Sequence, residues 1–168
     1  MKISPKRGLV LAVHPTARGF GWALFENPLV PVDWGVANVK KRHNARSLER
    51  FEKLLDRYAP KVVVFEEFGE HPARRVMRIQ ALCREMIALA GNRGIRTPIF
   101  SREAVRECFA KSGARSRHAI ALNIADQIEV FRHRLPRERK FWNGEDVRQS
   151  LFDAVALALT YFATSQSK

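Results

Sequence analysis

Hydrophobic and polar positions alternate in distinct patterns along the chain, and the first third has the pattern of β-strands. An apolar run at residues 9–13 ends in His14 and Pro15, and a second apolar stretch occupies residues 19–25. Two apolar stretches joined by a short loop predict a β-hairpin with His14 at its open end. Residues 30–39 predict a third strand, which a basic loop follows.

After residue 43 the period changes to three or four, which predicts an amphipathic helix that Pro60 closes. Its apolar positions are Leu48, Phe51, Leu55 and Tyr58. Residues 61–65 then form a short continuous apolar run, typical of a buried central strand. Glu66 and Glu67 lie at the end of that strand. Their side chains should point to opposite faces of the sheet if the strand continues.

The remaining chain predicts four helices and one outer strand. The first of these helices has one apolar face and stops at Gly91 and Gly94, and residues 95–100 form the outer strand because Pro98 cannot donate to a ladder. Ser101 and Ser116 are N-cap residues of the next two helices. The apolar positions of the helix after Ser116 are Ile120, Ile124, Ile128 and Phe131. The last helix, from about residue 145 to 162, is predicted to bury Val147, Leu151, Val155, Ala158, Leu159 and Phe162.

This order of elements predicts an α/β fold: a mixed central sheet, three antiparallel strands and then two more, flanked by helices. The chain has 168 residues, of which 46% are hydrophobic, and this suits a single domain spanning residues 1–168. No apolar segment approaches the ~18–20 residues that span a membrane, and the N-terminus lacks a signal-peptide core. Cys83 and Cys108 have no metal-ligand spacing and are interpreted as buried free thiols. We therefore expect a cytoplasmic protein with no membrane partner.

The charge is the unusual property of the composition. Thirty Lys and Arg against seventeen Asp and Glu give a formal net charge of +13. Such an excess favours a nucleic-acid partner, because neutralised phosphates release condensed counterions. A basic, well-solvated surface with some other role is the alternative.

Arginine and lysine are concentrated in three segments, which we interpret as a nucleic-acid-binding surface. The candidate binding residues are Arg74, Arg75, Arg78, Arg115, Arg117, Arg137, Arg139 and Lys140. Phe141 and Trp142 follow the last segment, where they either stack on unpaired bases or act as a hydrophobic staple before the last helix.

Three segments together resemble RuvC-type Holliday junction resolvases of the ribonuclease H-like superfamily. They are the hairpin around His14, the strand Val-Phe-Glu-Glu-Phe at 64–68, and the helical Phe-Asp-Ala-Val-Ala-Leu-Ala at 152–158. The resemblance extends over about residues 9–162 and implies the ribonuclease H-like fold. It also implies a homodimer, since a four-way junction is two-fold symmetric.

The resemblance places Glu66 and Asp153 on two of the four metal-ligand positions of the family. His14 stands where the family has an aspartate, and Ser150 stands where it has an acidic residue or a histidine. Asp146 lies on the same predicted helical face as Asp153 and is a candidate replacement ligand, although a first-turn aspartate is also favoured by the helix dipole. Taken singly, Glu66 at a strand end, Asp153 on a helix and a lone histidine each have an ordinary structural explanation.

The implied chemistry is phosphodiester hydrolysis with Mg²⁺ or Mn²⁺, using Glu66, Asp153 and His14 as catalytic and metal-binding residues. Because two ligand positions have changed, we predict a protein that binds branched or structured DNA with weakened or lost Mg²⁺-dependent cleavage. The alternative is a non-catalytic nucleic-acid-binding or scaffold protein on the same fold. A regulator that binds only protein is disfavoured by the charge.

Overall fold

The structure is a computed structural model that describes residues 8–68, 74–137 and 147–165. Five strands form one sheet in the order β3-β2-β1-β4-β5, with helices on both faces. The strands are β1 Val10–Thr16, β2 Gly19–Asn27, β3 Val30–Asn38, β4 Val62–Glu66 and β5 Ile99–Phe100. The helices are α1 His43–Tyr58, α2 Arg74–Asn92, α3 Arg102–Ala110, α4 Arg117–Gln127 and α5 Gln149–Ser165, with a 3₁₀ helix at Glu129–Arg134.

The sheet is mixed, as predicted. β1, β2 and β3 pair antiparallel, whereas β4 pairs parallel with β1 and β5 pairs parallel with β4. The pairing of β1 with β4 brings the carboxyl ends of both strands to the same edge of the sheet. His14 on β1 and Glu66 on β4 lie at that edge.

The predicted position of His14 in the hairpin was wrong. β1 continues past Pro15 to Thr16, so that only two residues join it to β2, and His14 pairs with Gly21 near the turn instead of lying at the open end. A proline is tolerated there because β1 continues only one residue further and its central pairing residues precede the proline.

Alternate side chains of the central strands enter two separate cores. Leu11 and Val13 of β1, with Val63 and Phe65 of β4, pack against α1 and α2. The even-numbered positions of β1 and β4, at 10, 12, 62 and 64, pack against α3, α4 and α5. Because the side-chain period of a strand is two, His14 and Glu66 extend the second set and face α5.

Helix α5 packs closely across β2, and Gly21 permits this approach. A Cβ atom at Gly21 would lie 2.1 Å from the carbonyl oxygen of Ser150, which is the second residue of α5. Any larger residue would therefore push the start of α5 away from the sheet.

The predicted outer strand at residues 95–100 is shorter in the structure. Of the predicted outer strand, only Ile99–Phe100 is regular, and Arg96 forms an isolated bridge with Val62. Pro98 has no N–H to donate, although its carbonyl accepts from the amide of Phe65.

The helix after Ser116 ends at Gln127, because Ile128 has an extended backbone, and Phe131 is buried from the 3₁₀ helix instead. Val147 precedes α5 and is exposed rather than buried.

Both cysteines are free thiols, but Cys108 is only partly buried. No helix within the described residues is long and apolar enough to cross a membrane.

Candidate functional site

His14, Glu66 and Asp153 come together at the edge of the sheet, where β1, β4 and α5 meet. His14 Nδ1 lies 3.0 Å from Glu66 Oε2, and His14 Nε2 lies 3.4 Å from Asp153 Oδ2. All three side chains are largely buried, with exposed fractions of 7%, 8% and 14%. The imidazole therefore lies between two carboxylates and contacts one with each ring nitrogen.

Each carboxylate also has an arginine partner. Arg102, the first residue of α3, places its Nε 3.5 Å from Glu66 Oε1. Arg117, the first residue of α4, binds Asp153 with two nitrogens, and its Nε donates to Oδ1 at 3.0 Å. Gln149 Nε2 donates to the same Oδ1 at 3.1 Å. We call His14, Glu66, Asp153, Arg102 and Arg117 the ion cluster.

The pKa values of His14, Glu66 and Asp153 each shift in the direction that favours the charged form of the side chain. Burial alone would lower the pKa of His14, but attraction to Asp153 and the contact with Glu66 outweigh it, and the pKa is raised. Burial alone would raise the pKa of Glu66, yet His14 and Arg102 hold it below its usual value. Burial acts the same way on Asp153, whose pKa is lowered by His14, Arg117 and Gln149. Oppositely charged neighbours therefore outweigh desolvation at all three groups.

These residues do not fit the two-metal site that the resemblance implies. Such a site needs several carboxylates whose negative charge is available to the ions. Here both carboxylates are already compensated by side-chain cations, and the imidazole nitrogens face carboxylates. Ser150 is buried and its hydroxyl donates to the carbonyl of Val147, so it replaces no ligand. Within the described ranges, no group of three His, Cys, Asp or Glu is placed to hold a metal ion.

Other predicted site residues are spread over the surface or fall outside the described ranges. Arg74, Arg78, Arg115 and Arg137 are exposed. The side chain of Arg75 is outside the description, as are Asp146, Arg139, Lys140, Phe141 and Trp142. Glu67 is exposed and is not part of the ion cluster. Arg117, predicted as a nucleic-acid contact, pairs with Asp153.

Sequence reasoning missed Arg102, Arg106 and Gln149. The N-cap role of Ser101 was predicted, and it placed Arg102 at the start of a helix, but nothing in the sequence shows that this helix begins beside Glu66. Gln149 lies four residues before Asp153, a spacing that puts both on one helical face and could have identified it.

A small cavity of about 70 Å³ lies beside the ion cluster, between α3, α4 and α5. It is lined by the whole ion cluster and by Arg106 from the second turn of α3. Apolar side chains complete it: Val105, Ile120, Ala156 and Leu157. A larger depression of about 810 Å³ lies at the opposite ends of β1 and β4, away from these residues.

The fold is similar to those of solved resolvases. Over 95% of this chain and 96% of the other, it matches Thermus thermophilus RuvC in complex with a Holliday junction substrate, with a TM-score of 0.72 and 16% identity. It also matches the yeast mitochondrial Holliday junction resolvase over 96% of this chain and 81% of the other, with a TM-score of 0.58 and 15% identity. The fowlpox virus Holliday junction resolvase matches over 93% of this chain and 99% of the other, with a TM-score of 0.53 and 16% identity.

At the level of sequence, no protein-family model and no curated protein matches. The predicted element order, the mixed sheet and the overlap of nearly the whole chain with these structures agree with one another. The chain therefore has the ribonuclease H-like fold in the form found in RuvC-type Holliday junction resolvases.

Proposed function

We propose that this protein binds branched or structured DNA and has lost efficient Mg²⁺-dependent cleavage. The observation that carries the proposal is the ion cluster, in which three side-chain cations surround the two carboxylates at the metal-ligand positions of the family. The similarity to a RuvC in complex with a Holliday junction supports DNA as the ligand.

The net charge of +13 supports the same partner. Arg74, Arg78, Arg115 and Arg137 are exposed, and guanidinium groups pair bidentately with phosphate. Binding of this kind recognises the shape and charge of the backbone rather than base sequence.

Loss of cleavage follows from the charge of the site. A divalent ion would have to displace His14 and compete with Arg102 and Arg117 before it could reach either carboxylate. We therefore expect Mg²⁺ to bind weakly. Mn²⁺ is the better activator of any residual cleavage, because it accepts a nitrogen ligand more readily.

The same proposal includes a cytoplasmic protein that forms an isologous homodimer. A four-way junction has two-fold symmetry, and such a dimer would present one copy of the basic surface to each half. A non-catalytic scaffold role on junction DNA is compatible with this description.

Incubation of the protein with a labelled four-way junction and with linear duplexes tests the proposal. We expect a retarded complex with the junction on a native gel, and no product on a denaturing gel with Mg²⁺. Weak cleavage with Mn²⁺ is compatible with the proposal. Efficient Mg²⁺-dependent cutting that Asp153→Asn abolishes would contradict it and would make His14 part of a working catalytic site.

A further inference from the structure

Three arginines line the small cavity beside the ion cluster. Arg102 and Arg106 come from α3, and Arg117 is the first residue of α4. We propose that this cavity binds a single phosphate group directly through the guanidinium groups of Arg102 and Arg106, with the charge of Arg117 beside them and without a metal ion. The proposal deepens the proposed function, since the phosphate would belong to a nucleic-acid backbone, and it rests on that function for its biological role.

The charges that line the cavity favour an anion as its ligand. Three guanidinium groups line the cavity against two carboxylates, Glu66 and Asp153, and His14 lies between those carboxylates. Among the described residues that line it, the cavity therefore has an excess of positive charge even with a neutral imidazole. A positive cavity attracts anions, whereas the carboxylate site of a metal-dependent nuclease attracts cations.

The arginines of the ion cluster lie closer to solvent than its carboxylates. The carboxylates of Glu66 and Asp153 are the buried charges, with side-chain exposures of 8% and 14%. The arginines lie outside them, with side-chain exposures of 59% for Arg102 and 41% for Arg117. A group that approaches from solvent therefore meets guanidinium groups before it meets a carboxylate.

Arg106 is the group most available to such a ligand. It is exposed, and among the described residues it has no ion-pair or hydrogen-bond partner. The Nε of Arg102 lies 3.5 Å from Glu66 Oε1, a long distance for an ion pair. Both residues can thus donate to an incoming oxygen without breaking a strong bond of the ion cluster.

The two helices add to the attraction. The first turns of α3 and α4 both line the cavity, and the N-terminal end of a helix carries a partial positive charge. The N-cap hydroxyls of Ser101 and Ser116 already accept from Ala104 and Ala119, so the helices contribute their dipoles and the arginines contribute the hydrogen bonds.

The volume of the cavity suits one phosphate group. A cavity of about 70 Å³ exceeds what one or two waters require, but it is too small for a nucleoside. Its other walls are apolar, so they offer no hydrogen bonds to a base edge.

Titration of the protein with dimethyl phosphate in EDTA, followed by NMR of the arginine Nε–H signals, tests the proposal. We expect saturable shifts at Arg102 and Arg106. Arg106→Gln should weaken the affinity about tenfold, because one charge-assisted contact is lost. Arg50→Gln on α1, on the other face of the sheet, is the matched control and should leave the affinity unchanged. Thermal melts check that both variants fold.

Equal affinity in the wild type and Arg106→Gln, or an equal loss in Arg50→Gln, would overturn the proposal. Junction binding by the same proteins separates the two hypotheses. A wild type that binds the junction but not dimethyl phosphate would overturn the phosphate site and leave the proposed function standing. A wild type that binds dimethyl phosphate through Arg106 but binds no nucleic acid would refute the proposed function alone.

Discussion

His14 is the residue that most changes the chemistry of this fold. It is 6% exposed and lies between Glu66 and Asp153, where it acts as an internal counter-ion. A buried carboxylate is costly unless it is paired, and this imidazole pairs two of them. The histidine thus provides the charge compensation that a metal ion would provide between carboxylates.

Replacement of His14 by aspartate should remove this internal charge compensation and make the site depend on a metal ion for it. In His14→Asp, three carboxylates would lie together, and we expect the free energy of unfolding in EDTA to fall by about 3–5 kcal/mol. Mn²⁺ or Mg²⁺ should restore part of that loss, and more so in His14→Asp combined with Ser150→Asp. Urea unfolding with EDTA or with metal measures both effects, and His133→Asp, at an exposed position, is the control. A His14→Asp protein as stable as the wild type in EDTA would contradict the counter-ion role.

The ion cluster should also make stability depend on pH. The folded pKa of His14 is raised above 6.5, so its contribution is complete below pH 6.5 and is lost as the pH rises through the folded pKa. Glu66 and Asp153 have pKa values lowered from 4.5 and 3.8, so their contributions are complete above those values and are lost as the pH falls. The difference in unfolding free energy between the wild type and His14→Gln should therefore be largest between about pH 5 and 6.5 and should shrink towards pH 9. A difference that grows above pH 7 would disprove this assignment.

At the scale of elements, the site depends on how closely α5 packs on the sheet. β1 and β4 are neighbouring parallel strands, so His14 and Glu66 lie side by side, and α5 must cross them closely for Asp153 to reach His14. The backbone contact between Gly21 of β2 and Ser150 of α5 fixes that approach.

Two glycine substitutions separate this close approach from the general effects of adding a methyl group. Gly21→Ala places a Cβ 2.1 Å from the Ser150 carbonyl, and we expect a loss of about 1–3 kcal/mol or more. Gly91→Ala, near the end of α2, meets nothing within 4 Å and should instead stabilise the protein by up to about 1 kcal/mol. Thermal unfolding compares the two variants. Equal stability of both would show that α5 is not in close contact with β2.

At the scale of the whole molecule, the relevant property is the distribution of positive charge over the two faces of the sheet. α1 and α2 cover one face, and α3, α4, the 3₁₀ helix and α5 cover the other. The ion cluster and the 3₁₀ helix, whose last turn contains Arg132 and Arg134, belong to the second face.

DNA binding should depend on salt and on the basic segment that contains Arg137. We expect log affinity for a four-way junction to fall linearly with log salt concentration. Arg137→Glu with Arg139→Glu should weaken binding and reduce that slope, although Arg139 lies outside the described residues. Arg46→Glu with Arg50→Glu on α1 makes the same change in net charge on the other face and should have a smaller effect. Equal losses in both double variants would mean that net charge alone accounts for binding.

The spacing of hydrophobic residues along the sequence was enough to predict most of the fold. Alternation and apolar runs predicted the strands, and the period of three to four predicted the helices, because each pattern reflects which side chains the fold must bury. The boundaries at Thr16, Gln127 and Val147 were missed, because they depend on pairing and packing partners that local sequence does not specify.

The sequence by itself determined the fold class and the positive charge, and its resemblance to the resolvases singled out His14, Glu66 and Asp153, which meet at one edge of the sheet. Only the tertiary structure decided what those residues do to one another. Arg102 and Arg117 lie 36 residues from each of their partners Glu66 and Asp153 in sequence, and it is the placement of α3 and α4 that brings each arginine to a carboxylate. Ion pairing depends on distances of a few ångströms between distant parts of the chain, and local pattern carries no information about such distances.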